Sequence, residues 1–272
     1  MRSITRRDMI GITLASLIAA NPIARALATP QNHQVQVDLY VDNIPENRLS
    51  QSFYQDENHG LFVTVTEKAK EFYSTIGQKY GLSGVNLTFN LCQLTDGNYP
   101  NLDRNHLAVS YLDVRTVDLT VFSRIVGLEE SYLAWRQEDL DKYTARGVDR
   151  KEAEKIIERT HRGVFIDEFY DLGHLYHGLA FNGKNKAILF STILSDQFDE
   201  QTIIKTCFSN LIHELGHLFS LEHPDPKYAS EINNVMGLFP ENLTDFRRLI
   251  STEPAITREQ VQQINAYLNQ TE

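Results

Sequence analysis

Residues 199–223 read DEQTIIKTCFSNLIHELGHLFSLEH. Ile204, Phe208, Leu211, Leu215 and Leu218 fall at offsets of 4, 7, 11 and 14, the stripe of one buried helix face. A long helix is therefore expected from Asp199 to Ser220. His213 and His217 sit one turn apart, so both imidazoles can reach a single ion. At 100° per residue, His213 lies about 200° round from Leu211 and Leu215, away from the apolar stripe and free to line a cleft. Glu214 follows the first histidine, where its carboxylate reaches a water on the ion rather than the ion itself. A catalytic zinc needs a third protein ligand and an open fourth position. His223, six residues past His217, can supply that ligand if the chain turns sharply after His217. Zn2+ would polarise a scissile carbonyl and acidify the water, and Glu214, the general base, would pass the proton to the leaving amine.

Working outward, the chain has an α/β pattern. Val35, Val37, Leu39 and Val41 alternate with polar neighbours, a half-buried strand. Leu61–Thr66 is a short apolar run, and Thr66–Tyr80 has helical spacing, with Gly81 placed to cap it. Val85–Leu91 alternates again, and His106–Leu112 and Val117–Phe122 are further strand candidates. Strand, helix, strand, strand implies a mixed sheet with helices. Residues 127–162 are charged and helix-prone, with Asp149 and Glu152 in capping-box spacing and a helix running to about His161. They read as a helical insertion that covers the cleft or decorates the surface. Ala187–Leu194 returns to strand character and is a candidate edge strand for an extended peptide. Residues 224–245, with Pro224, Pro226, Gly237 and Pro240, read as loop. Thr257 and Gln260 cap a last amphipathic helix to about Asn269.

The start of the chain reads as a targeting segment. Arg2, Arg6 and Arg7 precede the apolar stretch Met9–Ala20, and Ala26-Leu27-Ala28 is a small-residue cleavage pattern. Residues 1–28 are thus expected to be a secretory signal, and Thr5–Ile10 resembles the twin-arginine type. An ordinary secretory signal is the plainer alternative. The expected product is exported, periplasmic or extracellular. Residues 29–272 read as one domain, split into an N-terminal part (29–220) and a smaller C-terminal part (221–272). Losing residues 1–28 removes four arginines and one aspartate and takes the net charge from −10 to −13. So acidic a chain repels nucleic acid and anionic membrane, and no apolar run is long enough for stable membrane insertion. Cys92 and Cys207 are too few for a disulfide scaffold; one bridge or two free thiols remain open.

HELGHLFSLEH resembles the metzincin metallopeptidases, whose signature is H-E-x-x-H-x-x-G-x-x-H followed by a Met-turn. His213, Glu214, His217 and His223 match at the right spacing, and Ser220 stands where the family has glycine. Met236, in Asn233-Asn234-Val235-Met236-Gly237, matches the Met-turn, a methionine that packs beneath the metal. Pro224 resembles the serralysin branch, without its calcium repeats. The pattern is also similar to archaemetzincins, without their extra cysteine ligands after the third histidine. The resemblance implies a zinc metallopeptidase acting on peptide or protein substrates, with a mixed sheet, an active-site helix and a small C-terminal subdomain. Glycine there adopts a positive φ, which serine does at a cost of about 1 kcal/mol. Should His223 miss the metal, Glu231, Glu241 or Asp245 would follow as third ligand. The competing class is a degenerate metzincin that binds zinc or a protein without cleaving; intact Glu214 argues against it.

Other polar residues carry plainer expectations. His174 and His177 are three apart but lack a third partner, so packing or surface roles are expected. His33, His59, His106 and His161 default to surface or capping roles. Asp38 and Asp42 are expected to be solvated on the polar side of their strand. Trp135, Tyr170 and Tyr176 are expected in the core. Ser191 and Ser209 lack a Gly-x-Ser-x-Gly elbow, which disfavours a serine hydrolase.

Overall fold

Val35, Val37, Leu39 and Val41 lie on strand β1 (His33–Val41) and face one hydrophobic layer, as their alternation requires. The strand is not half-buried, however, because β1 runs through the sheet interior. It pairs in parallel with β2 (Val85–Gln93) on one side and with β3 (His106–Leu112) on the other. The computed structural model describes residues 31–41, 60–99, 101–113, 115–173, 178–181, 183–190, 199–224, 234–237 and 253–270. Among them the sheet has the order β2-β1-β3-β5-β4, with β4 (Gly178–Phe181) antiparallel to β5 (Lys186–Phe190). The expected leader lies outside the described residues, as do Asp42, His59, His174, Tyr176, His177, Ser191, Glu231, Glu241 and Asp245 and most of 224–245. The side chain of Tyr170 is likewise not described. No helix among the described residues is long and apolar enough to cross a membrane.

One face of the sheet packs against helix α1 (Leu61–Thr75), helix α5 (Glu200–Leu218) and helix α6 (Arg258–Leu268). The apolar run Leu61–Thr66 is the first turn and a half of α1, not a separate element. Gly81, with φ of 67°, caps the short 3₁₀ turn Gln78–Tyr80 rather than α1. The other face packs against helices α2 (Leu119–Val126), α3 (Glu129–Ala145) and α4 (Arg150–Gly173).

Val117–Phe122 is not a strand. Asp118 Oδ1 accepts the amides of Thr120 at 2.7 Å and Val121 at 3.1 Å, which starts α2. Leu119, Phe122 and Ile125 then fall on one buried helical face. The segment expected as an insertion is the sheet's second helical layer. Tyr132, Trp135 and Phe165 join Phe122, Tyr40 and Ile188 in its core. Asp149 caps α4 as expected, but the helix continues to Gly173, well past His161. The described part of Ala187–Leu194 is not an edge either, because β5 is paired with β3 and β4; residues 191–194 lie outside the described residues, among which the edges are β2 and β4.

Three polar residues are more buried than expected. Asp38 is 6% exposed and accepts hydrogen bonds from Asn90 at 2.8 Å and Gln36 at 3.1 Å, with His106 at 2.7 Å. Burial opposes its ionisation, yet these bonds outweigh it and hold its carboxyl below the usual range. His106 is therefore a partner of Asp38, not a surface histidine. His161 is fully buried, stacked 3.5 Å from Trp135 and bonded to Asp139 at 3.0 Å. Cys92 and Cys207 are free and belong to opposite faces of the sheet, so they form no bridge.

Tyr73, on α1, is fully buried and donates to the carbonyl of Ile212 at 2.6 Å, fixing α5 beside His213. Tyr73→Phe should lower stability by about 1 kcal/mol, seen as a lower urea midpoint with unchanged slope. An unaltered midpoint would show that this bond does not anchor the helix.

Candidate metal centre

Helix α5 begins where Asp199 accepts the amide of Thr202 at 2.8 Å. It ends in a Schellman turn. Ser220 takes φ of 67°, its amide donates to His217 at 2.9 Å, and Leu221 donates to Gly216 at 2.9 Å. Serine thus makes the left-handed turn that glycine makes in the signature. Gln263, on α6, donates to the Ser220 carbonyl and ties the turn down from outside.

The turn brings three imidazoles together. His213, His217 and His223 each have a ligand nitrogen within 4.8 Å of the others. The Nδ1 atoms of all three meet backbone carbonyls: His213 with Val235 at 2.8 Å, His217 with Leu221 at 2.8 Å, His223 with Met236 at 3.2 Å. A carbonyl only accepts, so each Nδ1 carries the proton and each Nε2 offers a lone pair. The Nε2 atoms of His217 and His223 stand 3.2 Å apart. Two nitrogens facing each other at that distance are satisfied by a proton on one of them or by a metal ion between them. A tetrahedral zinc at about 2.0–2.1 Å from each nitrogen would set that edge near 3.3 Å. The donor set therefore fits zinc. Burial holds the His217 imidazolium below its usual pKa, and neighbouring His223 adds to this, so the neutral ligand form is favoured.

Met236 is fully buried beneath the helix. Its amide donates to Asn234 Oδ1 at 2.9 Å, and Val235 donates to Ala255 at 2.7 Å. Asn234 in turn exchanges amide hydrogen bonds with Gln260, at 3.1 and 3.0 Å. Gln260 is also the return arm of the Thr257 capping box, so one side chain starts α6 and steadies the methionine turn. A Cβ on Gly216 would lie 2.5 Å from Met236 Sδ. An isolated glycine inside a helix is a sequence sign of such a close approach, and sequence reasoning missed it.

Glu214 is 3% exposed. Burial pushes its carboxyl up to about 8, against the pull of one hydrogen bond from the backbone of Ala180 on β4. Its Oε2 is buried without a partner. A carboxyl raised to about 8 keeps its proton at neutral pH, and the unpaired Oε2 becomes a proton acceptor only where a bound cation pulls that pKa down. Sequence reasoning missed β4, whose four residues are too few to show a period.

No protein-family model and no curated protein sequence matches the chain. Among solved structures, the archaemetzincin of Methanopyrus kandleri is similar, with a TM-score of 0.41 and 14% identity over 87% of this chain and 97% of that one. Similarity of that size carries nothing about this chain's chemistry, which rests on its own residues.

Ser220→Gly removes the left-handed penalty and should raise stability by up to about 1 kcal/mol. Ser220→Val, which puts a β-branched side chain in the turn, should lower it by about 1–3 kcal/mol. Chemical denaturation of both variants checks the order; a stabilising valine would mean that the turn is not under conformational strain.

Proposed function

We propose that the chain is a zinc-dependent endopeptidase of the metzincin type, with zinc held by His213, His217 and His223. The observation that carries this reading is the tethering of all three Nδ1 atoms, which turns three Nε2 lone pairs toward one another, within reach of a single ion. Zinc, when bound, polarises the scissile carbonyl and makes water nucleophilic at neutral pH. Glu214 accepts the water's proton at Oε2, while the Ala180 amide steadies its carboxyl. The same carboxyl then delivers that proton to the departing amine nitrogen. Met236, packed under Gly216, keeps the helix and the third histidine in register.

The substrate is a peptide in extended form. Among the described residues strand β4 is an edge of the sheet and contacts Glu214, and backbone pairing along it would lay the scissile bond across the histidines. This role passes to β4 from β5, the described part of Ala187–Leu194, which already pairs with β3 and β4. Export through the leader at residues 1–28 belongs to the same proposal and agrees with a mature chain acidic enough to avoid nucleic acid. The non-catalytic reading rested on Ser220, and Ser220 makes the required turn.

Elemental analysis of the zinc-loaded parent should give about one zinc per chain, with a large loss in His223→Ala. Glu214→Ala should keep the zinc and lose peptide cleavage by about 10²–10⁴-fold. Equal zinc in parent and His223→Ala would remove His223 from the ligand set. Cleavage surviving in Glu214→Ala would remove Glu214 as the base.

A further inference from the structure

Strand β4 crosses the active-site helix at Gly178. A Cβ placed there would stand 2.5 Å from Glu214 Oε1 and 2.7 Å from its Cδ and Cγ. The backbone does not call for glycine, since Gly178 is absent from the positive-φ positions of the described chain. What glycine supplies is space, and the Glu214 carboxyl occupies it. Two residues on, the Ala180 backbone bonds the same carboxyl. Gly77 and Gly84 differ: an added Cβ would strike backbone atoms at 2.2 and 2.4 Å. At Gly178 it would strike the Glu214 side chain from Cγ to Oε1, so the carboxyl itself must shift.

We propose that Gly178 is a positioning residue whose bare Cα forms the seat of the Glu214 carboxyl, aligning it with the Ala180 amide and leaving Oε2 unpaired for the reaction. The proposal deepens the peptidase reading and rests on Glu214 as its base. A methyl group at position 178 displaces the carboxyl but leaves the three histidines and their carbonyl partners untouched. The loss therefore falls on turnover, not on metal.

The test uses zinc-loaded Gly178→Ala, Glu214→Ala and the double variant. Gly178→Ala should keep the parent's zinc content and a KM within about twofold, while kcat falls by about 10²-fold. Its Tm loss should vanish in the Glu214→Ala background, where the methyl meets open space. A parent-like kcat overturns the proposal. So does a raised KM with kcat intact, which would make Gly178 a substrate contact. An equal Tm loss in both backgrounds overturns it as well, because the strain would then lie elsewhere. If the parent cleaves no peptide, the peptidase reading falls and the thermal cycle decides alone: coupling between positions 178 and 214 sustains the seat, and additive shifts overturn it.

Discussion

The left-handed turn at Ser220 is the constraint on which the rest of the site depends. Had α5 continued, His223 would lie too far along and round the axis to meet His213. The turn costs about 1–2 kcal/mol for a residue with a Cβ. Against this, Leu221 goes into the core, 2% exposed, and full burial of such a side chain is worth about 1.5–3 kcal/mol. The two Schellman bonds add about 1 kcal/mol each. Burial and hydrogen bonding outweigh the strain, so serine suffices where the signature has glycine. The same reversal turns the Leu221 carbonyl back onto His217, so the turn that delivers the third imidazole also orients the second.

Much of this was legible because it is local. The stripe along α5, the Asp199 and Thr257 caps and the spacing of His213, His217 and His223 are all set within a few residues of sequence. The errors arose where tertiary context decides. Val117–Phe122 has an apolar run that suits a strand, but the Asp118 cap and the three-residue spacing of Leu119, Phe122 and Ile125 make it helix. The two long helices α3 and α4 read as an insertion, covering the cleft or decorating the surface, because they are charged. Their few aromatic residues, Tyr132, Trp135 and Phe165, are enough to cover the sheet. Strand β4 gave no signal, since its place is fixed by pairing with β5 and by Glu214 beneath it.

Polar residues tested the reading hardest. Asp38 and His106 stand 68 positions apart in sequence, and only the parallel pairing of β1 with β3 brings them to 2.7 Å. His161 is buried because Trp135 and Asp139 sit on the facing helix. Buried polar groups find partners, but a single sequence does not say which.

Set against that rule, the region around α5 departs from ordinary local preference four times. Gly216 interrupts a helix at a cost of about 1 kcal/mol. Ser220 adopts a glycine conformation, Glu214 is buried with an unpaired oxygen, and two histidine nitrogens face each other at 3.2 Å. Each departure alone would be a defect of a kilocalorie or more. Together they share one cause. Gly216 admits Met236, Met236 carries the carbonyl that holds His223, and Ser220 brings that histidine into reach. The facing nitrogens are what a cation would satisfy, and the unpaired oxygen is what a water would satisfy. A fold selected for stability alone would have filled this place with apolar side chains. The concentration of unfavourable local choices at one point, in a chain otherwise consistent from cap to core, is itself the physical argument that the point is functional.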